Sequence, residues 1–199
     1  RGTWSKRGTV RMEETLVTKQ VETVYVGSVS PLEVLDATRS TQIILSEAMQ
    51  FCAQKIQVDS LDAVVDLLRQ NDRAACEYCL YGVAKGVATH LGAMDEHVKA
   101  VYVLDYDATP EDLCFGTLNQ DTPLVHLIVW TERKTAALRS LVAALDRALA
   151  QAYADLFGGH QIKILLDVQM IDDADVENRT GHGALLQAIH YWPIQIWER

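Results

Sequence analysis

The sequence predicts an α/β (α+β) protein: a largely helical N-terminal part, then a mixed β-sheet flanked by helices. Three observations carry the prediction. Apolar residues recur at helical spacing between residues 40 and 92. Two short runs rich in β-branched residues follow, VKAVYVL at 98–104 and LVHLIVW at 124–130. A long amphipathic pattern at 132–157 then separates them from an alternating segment at 162–171.

Each element has its own signal. Residues 1–12 hold four basic residues, no acid and no hydrophobic period, so they read as a basic flexible arm or as residues foreign to the native protein. Alternation over 20–26 suggests a strand that stops at Gly27. Ser30, Pro31 and Glu33 follow as cap, first-turn proline and early acid of a helix. Ile43, Ile44, Ala48, Met49, Phe51 and Cys52 continue a helical face, as do Leu61, Val64, Val65, Leu67 and Leu68 after the cap candidates Asp59 and Ser60. A third helix opens at Asp72 and runs to Gly92.

The runs at 98–104 and 124–130 are short and apolar, as buried strands are. The segment 132–157 places Ala137, Leu138, Leu141, Val142, Leu145, Leu149 and Tyr153 on one face, with Gly158 and Gly159 as the stop. In 162–171, Ile162, Ile164, Leu166, Val168 and Met170 share one face and Asp167 and Gln169 lie on the other. A strand with a polar face belongs near a sheet edge or a cleft. After the polar stretch 172–183, ALLQAIHYW suggests a short helix, and Pro193 precedes a terminal strand, IQIW. Residues 13–94 and 95–199 show no linker between them and read as one compact unit.

Charge narrows the partners. The chain has 199 residues and a net charge of -9, and outside the basic arm 14 basic residues face all 27 acids, a net of -13. Such a body does not grip nucleic acid through phosphates. No apolar run reaches the roughly 18 residues of a membrane span, and the four cysteines are too few and scattered for a disulfide framework, so the reading is a cytoplasmic protein. Cys76 and Cys79, in a helical stretch without a second pair, read as small buried hydrophobes. The expected partner is a nucleotide or a protein, and the apolar helices and the tail around Tyr191, Trp192 and Trp197 suggest self-association into a homo-oligomer.

The first chemical candidate is Asp105 with Asp107, directly after an apolar strand. Carboxylates at i and i+2 share a face, where they can hold Mg²⁺ or act as nucleophile and acid. The competing reading is a solvated turn leading into Thr109-Pro110-Glu111-Asp112. Asp105, Asp107 and Thr109 resemble the DxDxT motif of haloacid dehalogenase-like phosphatases. That resemblance implies Asp105 as nucleophile, Asp107 as general acid, Thr131 in the later Ser/Thr role, and Asp172, Asp173 and Asp175 as the later Mg²⁺-binding acids. Only 16 residues, 108–123, lie between Asp107 and the second strand, little room for the family's flap and crossover helix.

A second resemblance rests on element order over residues 72–199, which is similar to the minimal nucleotidyltransferase fold. Cys114-Phe115-Gly116-Thr117 looks like that family's Gly-Ser turn, 124–129 like its carboxylate strand, and Asp167 like its third acid. The resemblance thus implies Gly116, Thr117, His126 and Asp167 as nucleotide-site positions. Yet Leu124 and His126 stand where the family's paired carboxylates belong, and neither supplies the anionic oxygens that hold Mg²⁺ against a triphosphate. This favours a non-catalytic module for nucleotide binding or protein interaction. The alternative is a Mg²⁺-dependent phosphotransfer enzyme using Asp105 and Asp107. His126, inside an apolar strand, reads on its own as a hydrogen-bonded core histidine, and His182 with His190 as a weaker metal pair beside Asp172, Asp173 and Asp175. The direction of the strands at 98–104 and 124–130 discriminates the two families: antiparallel neighbours favour the nucleotidyltransferase-like reading, parallel ones the phosphatase-like reading.

Overall fold

A computed structural model describes residues 31–104, 123–157, 162–188 and 193–199. The N-terminal arm and the predicted strand at 20–26 lie outside the described residues. Three helices come first: α1 (Pro31–Ile56), α2 (Leu61–Arg69) and α3 (Arg73–Met94). Their starts follow the sequence signals. The Ser60 hydroxyl accepts from the Ala63 amide, and the Asp72 carboxylate accepts from the Ala75 amide, so each satisfies a donor that the first helical turn leaves unpaired.

Helices α1 and α3 lie unusually close, and glycine is the reason. A Cβ on Gly82 would come within 2.6 Å of the Ala48 Cα, and one on Gly86 within 2.9 Å of the Ile44 Cγ2. One turn apart on α3, these two glycines form the shallow side of the helix pair.

The second half builds a four-stranded sheet. Strand β1 (Val98–Val103) pairs antiparallel with β2 (Val125–Thr131), helix α4 (Ala136–Phe157) intervenes, and β3 (Leu166–Ile171) pairs parallel with β2. Strand β4 (Ile194–Glu198) adds antiparallel to β1, giving the order β3-β2-β1-β4. The α4 crossover explains the parallel pairing of β2 and β3. The fold class read from the sequence is therefore the one observed. The half-polar segment is an edge strand, as its alternation predicts.

One sheet face meets the helices. Val101, Val103, Val125, Leu127 and Val129 join Leu45, Val83, Val87, Leu91, Leu145 and Leu149 in one core. Of the two cysteines expected to be small buried hydrophobes, Cys79 is buried in it and Cys76 only partly; Cys52 is buried there too, and burial pushes its thiol up to about 11. Trp197 closes the core at the α3 end, where its ring occupies the space a Cβ on Gly92 would need. Arg199 then donates to the carbonyls of Gly92, Asp95 and Val98, which ties the last residue of the chain to the end of α3 and the start of β1.

Two local expectations are revised. The third strand starts at Leu166, not 162, and Ile164 is 50% exposed rather than core-facing. The stop is set by Asp146 of α4, whose Oδ1 accepts from both the Leu165 and Leu166 amides at 2.8 Å and fixes where pairing with β2 begins. The polar stretch after β3 is not loop alone. It contains helix α5 (Asp173–Asn178), and a 3₁₀ helix, η1 (Gly181–Gln187), overlaps the start of the short helix expected at 184–192, of which residues 189–192 lie outside the described residues.

Candidate functional site

The second sheet face divides into rows that the register makes explicit. In the first row Asp167 of β3 lies beside His126 of β2, and the Leu104 amide donates to the His126 carbonyl. In the second, Gln169 lies beside Ile128, which is paired with Tyr102 of β1, itself paired with Gln195. In the third, Ile171 lies beside Trp130, which is paired with Ala100. Alternation makes the first row polar and the third apolar.

Asp167 and His126 are thus held together by two elements. The His126 Nδ1 is 2.9 Å from Asp167 Oδ2, and the Gln169 amide donates to the other oxygen of the same carboxylate at 2.9 Å. The side chains are 28% and 38% exposed, so the pair is reachable from solvent yet partly desolvated. The hydrogen bond with His126 does most to hold the Asp167 carboxyl below the usual carboxylate range. Partial burial opposes it, while Gln169 and the more distant charge of His182 assist. Such a carboxylate fixes the imidazole's tautomer and plane, and the first row presents a charged acceptor and an imidazole, with the Gln169 amide of the second row beside them.

The other predicted acids are engaged elsewhere. Asp172, Asp173 and Asp175 follow Ile171, at the opposite end of β3 from Asp167, roughly 17 Å along a strand of this length. Asp173 accepts from the Lys99 Nζ at 2.7 and 2.8 Å and from the Trp130 indole at 2.8 Å. Lys134 bonds Asp175 and lies 3.4 Å from Asp172. Asp172 and Asp175 also exchange backbone and side-chain bonds as the capping box of α5. Hydrogen bonds from Lys99 and Lys134 hold the carboxyls of Asp173 and Asp175 low. Within the described residues these three acids therefore neutralise lysines and start a helix. Among the described residues, no three His, Cys, Asp or Glu side chains converge as a metal-binding group.

Asp105, Asp107, Gly116, Thr117, Cys114 and His190 lie outside the described residues. Thr131, offered for the phosphatase-like role, is buried in β2 with its hydroxyl 3.1 Å from the carbonyls of both His97 and Arg133, either of which can accept its one proton. The sequence pattern puts Asp167 on the polar face of its strand but reads His126 as a core histidine and does not pair the two. The missing information was the register, which a single sequence does not encode. Gln169 and the capping pair Asp172 and Asp175 did carry a local signal, two residues and three residues apart respectively.

No family model matches the chain, and no curated protein or solved structure matches it either. No helix among the described residues is long and apolar enough to cross a membrane.

Proposed function

We propose that this chain is a non-catalytic module of nucleotidyltransferase-like design that binds the nucleoside part of a nucleotide at the first row of its second sheet face. The observation that carries the reading is the His126–Asp167 pair, with imidazole standing where that family would place a metal-binding acid. The antiparallel pairing of β1 and β2 supports this design over the phosphatase-like one. Lys99 and Lys134 already hold aspartates and do not offer their charge to a triphosphate. What the first row and the adjoining Gln169 offer, a charged carboxylate acceptor, an imidazole and an amide, suits ribose hydroxyls and a base edge.

The experiment is thermal melting with adenosine, guanosine and their triphosphates, each with and without Mg²⁺ or Mn²⁺. The proposal expects a nucleoside to raise the melting temperature as far as its triphosphate does, without metal, the stabilisation being about 2.7 kcal/mol at a hundred times the dissociation constant. Metal-dependent release of pyrophosphate would overturn the non-catalytic reading. The absence of a shift with every nucleoside and nucleotide would overturn the ligand.

A further inference from the structure

The segment that covers the apolar end of the second sheet face is held differently from the rest of the molecule. Helix α5 has no buried residue and η1 has only Gly183. Its apolar footing is a small cluster in which Val176, Leu185 and Leu186 are only partly buried against Ile128, Ile171 and Leu104. Its remaining ties to the body are polar. Lys99 and the Trp130 indole reach Asp173, and Lys134 reaches Asp172 and Asp175. Lys99 also lies over the Trp130 ring, 5.6 Å from its centre. Within itself the segment is well organised. Thr180 bonds Asp175 through both backbone and side chain, Gln187 bonds the Val176 carbonyl and the Arg179 side chain, and Gly183 packs so closely on the Asp175 carbonyl that no Cβ would fit.

We infer that residues 172–188 form a charge-latched flap that opens as one unit from the sheet, with Lys99–Asp173 and Lys134–Asp172/Asp175 as its two latches. Internal order makes the segment move as a body. Sparse apolar footing places it at the low-stability end of the molecule. Solvent reaches both latches, with the Lys99–Asp173 side chains 36% and 46% exposed and those of the Lys134 latch less so, which makes closure sensitive to salt because exposed pairs are screened at high ionic strength. Opening uncovers Ile128, Ile171 and the Trp130 ring beside the His126–Asp167 row, and this motion does not depend on the ligand proposed for that row.

Hydrogen–deuterium exchange on the full chain tests it, at 20 mM and 1 M sodium chloride, with Lys99→Met, Lys134→Met and the rescue variant Lys99→Arg. The flap predicts that the protected amides of 172–188 share one opening rate, faster than those of α3 and β2, and that salt accelerates it by about two- to fivefold per latch. Each methionine variant should reproduce the salt effect at low salt and blunt its further increase, and Lys99→Arg should restore wild-type exchange. Protection equal to that of β2, or exchange unmoved by salt and by both methionine variants, would overturn the proposal. If a variant melts globally, the salt series on the unmodified chain decides alone.

Discussion

Asp167 and His126 face each other across the parallel register of β2 and β3, Oδ2 to Nδ1 at 2.9 Å, although 41 residues separate them in sequence. Position in the sheet, not proximity in the chain, makes the pair. A double-mutant cycle with His126→Ala and Asp167→Asn should therefore show coupling, of about 0.5 kcal/mol given the solvent that reaches both side chains. Additive effects on the urea midpoint would mean that the contact contributes nothing.

Acid should loosen the protein in a defined window. Asp167, Asp173 and Asp175 all have carboxyls held below the usual range, so their stabilisation is fully present above the unfolded value near 4 and is lost as pH falls through their lower folded values. Asp146 acts in the opposite sense, since burial raises its carboxyl and opposes part of that loss. The expected result is a urea midpoint that declines below about pH 4, with a shallower decline in Asp173→Asn. A flat profile down to pH 3 would contradict the assignment.

Asp146 itself sets where β3 begins. Asp146→Ala removes the acceptor for two backbone amides, at Leu165 and Leu166, and should cost about 2 kcal/mol, read from denaturant unfolding. Exchange of the Leu165 and Leu166 amides should accelerate in the same variant. Unchanged protection there would show that the strand start is fixed by pairing with β2 alone.

Gly82→Ala tests the close approach of α1 and α3. Alanine favours a helix over glycine by about 1 kcal/mol, but its Cβ would meet the backbone of Ala48, which has nowhere to go, so the net change should be destabilising by about 2 kcal/mol. Gly86→Ala meets only the side chain of Ile44, which can turn away, and should cost less. The order of the two melting temperatures is the readout.

How far the sequence reaches differs between fold and site. Helical spacing in α1 to α4 and the β-branched runs of β1 and β2 are local patterns, and local physics wrote them: cap residues such as Ser60 and Asp72 stand where their signals place them. The alternation of 162–171 correctly marked an edge strand, but it overextended the strand because the carboxylate of Asp146 acts on it from α4. The site was legible only in parts. Asp172, Asp173 and Asp175 look like metal ligands in one dimension because lysines 38 to 74 residues away are invisible there, and the folded chain brings Lys99 and Lys134 onto them. His126 looked like a core histidine, and it is hydrogen-bonded as such a residue must be, yet its partner makes a polar row that solvent can reach.

The most direct test of the central claim is the affinity of a nucleoside for the unmodified chain, Asp167→Asn and Asp173→Asn, by isothermal titration without metal. If the His126–Asp167 row is the binding site, Asp167→Asn weakens binding by about tenfold or more, the equivalent of one charge-assisted hydrogen bond, while Asp173→Asn, at the far end of β3, leaves it unchanged. Equal affinities for all three proteins, or no heat of binding with any of them, would contradict it.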